Sequence, residues 1–193
     1  MRDNTIFFSD SKGHALLSYI VKEAGKNKKR LGRTQMQKIP YVLKAIGIPI
    51  PYLFELYLYG PYCQDIVFAI DDMIADDVIE DESGNSKKYS QFIQGINADK
   101  LIKKYDDYIE PIKENIKKVV KIFSSWKPEK LELFTTLHYV YRKESATLKF
   151  LPTKNRIIGA FKKEKEEKFL DQEINKMLDI LIEINFIKVK NKK

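Results

Sequence analysis

Between residues 14 and 93 the spacing of apolar side chains changes in a fixed order, and that order constrains the fold more than anything else in the chain. Leu16, Leu17, Ile20, Val21 and Ala24 recur on one helical face over residues 14–25, closed by Gly25. The polar run 26–32 reads as a loop. Thr34 is a good cap for a second helix that buries Met36, Ile39, Val42, Leu43 and Ile46 and stops at Gly47. Pro40 is placed within its first two turns, where a missing N–H matters least. Residues 54–59 alternate weakly as a short strand, stopped by Gly60-Pro61. A third helix is predicted over 64–76, with Ile66, Val67, Ala69, Ile70, Met73 and Ile74 inward. Residues 78–82, a turn at Ser83-Gly84-Asn85-Ser86 and residues 88–93 read as a β-hairpin. Helix, helix, short strand, helix, hairpin is the order of a winged helix-turn-helix, with the hairpin as wing.

The second half is helical. Residues 98–124 form a long charged stretch that Pro111 should bend or split. Helices follow over 131–143, 153–168 and 171–184, and residues 186–189 read as a final strand. Met73-Ile-Ala-Asp-Asp-Val-Ile-Glu80 and Leu181-Ile-Glu-Ile-Asn-Phe-Ile-Lys188 echo one another as a helix end, a polar break and an apolar strand start. The expectation is an α+β, mainly helical chain. A winged-helix-like domain occupies 1–95. A helical domain over 96–193 has the pattern of a degenerate second winged helix without its return strand. At 193 residues and 44% hydrophobic, there is enough apolar surface for two small cores. No apolar run approaches the roughly 18 residues of a membrane span. The start lacks a secretory pattern, so a cytoplasmic protein with no membrane partner is expected.

Charge is segregated. Residues 22–44 carry eight bases against Glu23 alone, whereas residues 45–86 carry nine acids and no base. A third cluster, 154–168, holds Lys154, Arg156, Lys162, Lys163, Lys165 and Lys168. The net charge of +8 permits nucleic acid binding without showing it. Lys28, Lys29, Arg30, Arg33, Lys87, Lys88, Arg156, Lys162 and Lys163 are the candidate phosphate contacts. Arg33 has a competing reading, an ion pair with the acids of 71–82. The third helix would normally enter the major groove, but its outward positions include Asp65, Asp71, Asp72 and Asp76, which would face phosphate with like charge. Asp65, Phe68, Asp71, Asp72 and Asp76, joined by Tyr59 and Tyr62 near Gly60-Pro61, are therefore the candidate protein-interaction residues. The competing reading makes the aromatics around Gly60-Pro61 a junction core.

Catalytic and metal chemistry finds little support. His14 and His138 are the only histidines, and Glu132, six residues before His138, is off-phase on a helix. Cys63, the one cysteine, cannot form an internal disulfide and lacks an evident base, so it reads as a half-buried cap of the third helix. No zinc motif or glycine-rich phosphate loop occurs. No catalytic residue, metal or cofactor is expected.

The stretch Leu31-Gly-Arg-Thr-Gln-Met-Gln-Lys-Ile-Pro-Tyr-Val-Leu-Lys44, followed by Phe54-Glu-Leu-Tyr-Leu-Tyr-Gly-Pro-Tyr-Cys63, resembles the YwgA-like proteins, and more distantly the Panacea (SocA-type) domain. Met36 stands where leucine is usual and Cys63 where serine is common. The resemblance covers roughly residues 14–95. It implies a winged-helix-like body and, through the Panacea relatives, antitoxin or proteolytic-adaptor roles. The expectation is a non-enzymatic regulator or adaptor with a protein partner, contacting nucleic acid only through phosphates. The alternative is a winged-helix DNA-binding transcription regulator. Self-association is compatible with either.

Overall fold

The computed structural model describes residues 6–84, 89–148, 150–165 and 168–190. It is an α+β, mainly helical chain with two small two-stranded antiparallel sheets. It divides into two compact units, residues 1–54 with 63–126, and residues 55–62 with 127–193. This differs from a single boundary at residue 95.

In the first unit, α1 (Lys12–Lys26) is the central helix and buries residues on every side from Gly13 to Ala24. Ser11 caps it by accepting the His14 N–H at 3.2 Å. The helix runs through Gly25 and ends one residue later, with Lys28 taking φ +55° beyond its cap Asn27. Helix α2 (Arg33–Ala45) is capped by Gly32, not Thr34, and Gln35 Oε1 accepts the Gly32 N–H at 3.1 Å. Pro40 is then its eighth residue, past the first two turns, yet the helix continues unbroken to Ala45. Gly47, at φ +92°, ends it as expected.

The segment between α2 and α3 (Gln64–Ala75) departs from the expected lone strand. It folds back as a hairpin, β1 (Glu55–Tyr57) against β2 (Gly60–Tyr62), so Gly60-Pro61 lies inside the second strand and does not terminate the first. Gly60 has φ +87°, the left-handed backbone that glycine supplies without steric cost. The wing is present as β3 (Ile79–Asp81) paired with β4 (Phe92–Gln94). Leu31, just before α2, makes an isolated antiparallel bridge to Phe92. Residues 85–88, including Lys87 and Lys88, lie outside the described residues.

The 98–124 stretch breaks at Tyr105 as well as at Pro111. It forms α4 (Ala98–Lys104), α5 (Asp106–Ile109), a 3-10 turn over Glu110–Ile112 and α6 (Lys113–Phe123). Helix α6 packs on α1 and α2 through Ile116, Val119, Val120 and Phe123.

The second unit has α7 (Pro128–Leu148), α8 (Lys154–Lys165) and α9 (Asp171–Glu183), with strand β2 packed on α7. The predicted strand over 186–189 is not formed, although Lys190 N–H donates to Pro152 O at 3.0 Å. The sequence echo has a structural basis. In both copies the residue two past the helix, Asp77 (φ +51°) or Asn185 (φ +56°), adopts left-handed backbone. The next N–H, of Val78 or Phe186, returns to Met73 O or Leu181 O at 2.8 and 2.9 Å. Both are Schellman helix ends, in which a short polar side chain replaces glycine.

The first of these ends is closed by Gly95. A Cβ there would lie 2.2 Å from Asp77 O. Gly95→Ala should therefore cost about 1–3 kcal/mol in urea unfolding. Gly159→Ala, inside α8 with nothing within 4 Å of its would-be Cβ, should be neutral or stabilising by up to about 1 kcal/mol.

Candidate functional site

Helix α3 exposes Gln64, Asp65, Phe68, Asp71 and Ala75, and buries Ile66, Ala69, Ile70 and Met73. Val67 and Ile74, expected inside, are half-buried. Phe68 is 58% exposed between Asp65 and Asp71, and α3 carries no base. Asp72, at the edge of this face, stands 3.5 Å from His14 Nε2. Burial lowers the pKa of His14, and the Asp72 charge only partly offsets this.

Asp76 does not belong to that face. It is the C-cap of α3 and is only 4% exposed. Its carboxylate accepts the backbone N–H groups of Phe7 (3.1 Å), Phe8 (2.8 Å) and Ser9 (2.7 Å), and Asn97 Nδ2 donates to its carbonyl at 2.8 Å. Burial alone would raise the carboxyl pKa, but the N–H groups of Ser9, Phe7 and Phe8 outweigh it and hold the pKa below its ordinary value. Asp76 thus straps residues 7–9 to the end of α3, leaving the Phe7 and Phe8 rings outward.

Three of the basic candidates, Arg30, Arg156 and Lys162, are paired with carboxylates. Arg30 pairs with Glu82. Arg33 makes no such pair among the described residues; its Nε donates to Ser90 Oγ at 3.2 Å and its guanidinium lies 5.8 Å from the Phe92 ring centre. In the 154–168 cluster, Lys154 pairs with Asp179, Arg156 with Glu144 at 2.5 Å and Lys162 with Asp171 at 2.5 Å. Lys28, Lys29 and Lys163 are exposed.

The aromatics near Gly60-Pro61 are divided between the two units. Tyr52 is buried and Phe54 packs edge-on against Tyr41 at 5.4 Å, both in the first unit. Tyr57, Tyr59 and Tyr62 belong to the hairpin of the second unit, where Tyr57 and Tyr62 stack at 5.5 Å. Leu58 and Tyr59 at its tip are 68% and 66% exposed.

What fixes this hairpin is a buried ionic cluster that the sequence reading missed. The Glu132 side chain is 5% exposed and that of Lys165 is 3%. Lys165 Nζ donates to Glu132 Oε1 at 2.8 Å and also to Leu58 O at the hairpin tip. Lys168 Nζ reaches both Glu132 oxygens, at 2.8 and 2.7 Å, and lies 4.6 Å from the Tyr59 ring centre. Buried lysine is tolerated only when paired in this way. The signal available in the sequence was Glu132 itself, a lone acid inside the apolar run 131–140.

Cys63 is buried, not half-buried, and caps α3 through its backbone. Gln37 Oε1 accepts its N–H at 2.9 Å and Gln37 Nε2 donates to its carbonyl at 3.0 Å. His138 is buried against Phe186, with ring centres 4.6 Å apart, and burial together with Arg142 lowers its pKa to about 4. Among the described residues, no group of His, Cys, Asp and Glu is arranged to hold a metal ion, and no helix is long and apolar enough to cross a membrane. No family model matches the chain, and neither does any curated protein.

Two pH limbs follow. His138 is neutral in the folded state, so protonation of the unfolded chain erodes stability as pH falls from 6.5 towards 4, by about 3 kcal/mol in all. Urea unfolding at pH 7 and 4.5 should show this loss, and His138→Gln should flatten it. Asp76 has a depressed pKa, so its contribution is present above 3.8 and is lost as pH falls through the folded value. At neutral pH Asp76→Asn should cost roughly 2 kcal/mol and expose the Phe8 and Ser9 amides to rapid hydrogen exchange.

Proposed function

We propose that this chain is a non-enzymatic regulatory adaptor, antitoxin-like in kind, that binds a basic segment of a protein partner with the exposed face of α3. The observation that carries this reading is Phe68, an aromatic ring 58% exposed on a helix whose other outward groups include Asp65 and Asp71 and no cation. An apolar anchor inside a charged rim is the usual anatomy of a binding hot spot. The same helix position in a DNA-reading winged helix needs Arg, Lys, Asn or Gln outward, and carboxylates there oppose phosphate. The pairing of Arg30, Arg156 and Lys162 with local carboxylates further weakens the DNA-binding alternative. The more distant resemblance of residues 14–95 to the Panacea domain is consistent with an adaptor role.

The test places a photo-crosslinking phenylalanine analogue at position 68 in host cells, with mass spectrometry of the product. The expected product is a protein adduct through a Lys- or Arg-rich segment, lost on the double change Asp65→Lys and Asp71→Lys. Asp72 stays native because it faces His14. Binding to duplex DNA should be weak, sequence-independent and steeply salt-dependent, and the double change should strengthen it. A sequence-specific nanomolar DNA complex of the native chain at physiological salt would overturn the adaptor reading. So would an adduct at position 68 that the charge reversal leaves unchanged.

A further inference from the structure

The second unit contains a cavity of about 430 Å³ between the start of α7 and α9. Its apolar lining is Leu133 from α7, Met177 and Ile180 from α9, and Phe169 from the turn between α8 and α9. Leu133 and Met177 are each only 5% exposed, so they form a fixed floor. Phe169 is held in place from two sides. Its ring packs against Phe161 at 5.9 Å, and its chain neighbour Lys168 is locked onto both oxygens of Glu132. The aromatic wall is thus preformed.

The rim is polar and its charge is uneven. Lys127, Lys130 and Lys176 line it with Glu129 and Glu173. Glu173 Oε2 accepts the Leu170 N–H that begins α9 at 2.9 Å, which orients this carboxylate but leaves it on the rim. Lys127 and Lys176 are exposed and make no ion pair among the described residues. The cavity therefore joins an apolar floor to a mouth where three lysines outnumber two glutamates by one. Its volume falls in the roughly 300–1,000 Å³ range of small-molecule sites.

From these observations we infer that the α7–α9 cavity binds a small amphiphilic anion of the single-chain carboxylate class, its tail on Leu133, Met177, Ile180 and Phe169 and its headgroup between Lys127 and Lys176. The site lies wholly within the second unit and is separate from the α3 face, so either can fail without the other.

Decanoate is the probe, titrated below its micelle concentration into the full-length chain. Calorimetry follows affinity and amide NMR shifts follow location. Saturable binding is expected, with shifts centred on residues 133, 169, 177 and 180. Butyrate, which lacks the tail, and decyltrimethylammonium, which reverses the head, should each bind at least about tenfold more weakly. The double change Lys127→Glu and Lys176→Glu, at exposed positions, should weaken decanoate by about tenfold or more while leaving the melting temperature within a few degrees. Ile180→Trp, which fills the cavity, should abolish binding. If that variant fails to fold, the lysine pair still decides. Absence of saturable binding, equal affinity for the cationic amphiphile, shifts centred elsewhere, or unchanged affinity in the lysine variant would each overturn the assignment.

Discussion

The first unit depends on one buried carboxylate. Asp76 sits where α3 ends, the wing begins and the N-terminal segment passes, and it ties all three together. Its neighbours leave little freedom. Asp77 takes left-handed backbone, and Asn97 N–H and Gly95 N–H donate to Asp77 O and Val78 O, each at 3.0 Å. Only a residue without a side chain fits at 95. The direction of the β3–β4 wing relative to α3 is set at this corner. A carboxylate buried without those three N–H donors would be costly, so the strap and the corner are stable together or not at all.

Helices whose apolar residues recur on one face were legible from the sequence, because period and burial agree. The core of α1 lies where its spacing put it, and Ile66, Ala69, Ile70 and Met73 of α3 are buried as expected. The strand before Gly60-Pro61 was read correctly as extended but not as half of a hairpin, since three-residue strands carry too little pattern to show a partner. Asp76 was placed on a solvent face because its spacing fits the outward series of α3. Helical spacing cannot reveal that the helix ends one residue earlier and that the carboxylate turns inward to unpaired N–H groups. The Glu132–Lys165–Lys168 cluster was invisible for a related reason. Charged residues are read as surface by default, and only the tertiary fold brings positions 33 and 36 residues apart onto one carboxylate.

The candidate site was legible in part. Asp65, Phe68 and Asp71 lie outward together as their spacing requires. The two tyrosines assigned to the same surface belong to the other compact unit, a division that composition cannot show. The basic clusters lost weight because their partners come from distant elements, as with Arg156 and Glu144 or Lys162 and Asp171. Exposed pairs of this kind contribute little stability, but they lower the local positive potential that a polyanion would meet.

The β1–β2 hairpin is encoded between two helices of the first unit yet packs within the second, on α7 and under Lys165. During translation, residues 55–62 leave the ribosome well before α7 and α8 are made. At about 5–20 residues per second the hairpin waits several seconds for the lysine and glutamate that hold it. Gly60 and Pro61, buried in the finished fold, are uncovered throughout that interval, on a two-stranded ribbon too short to be stable alone. The nascent chain therefore carries this ribbon unheld until the second unit is made. For the same reason, a gene fragment beginning at residue 127 would encode three helices without the ribbon they are built to hold.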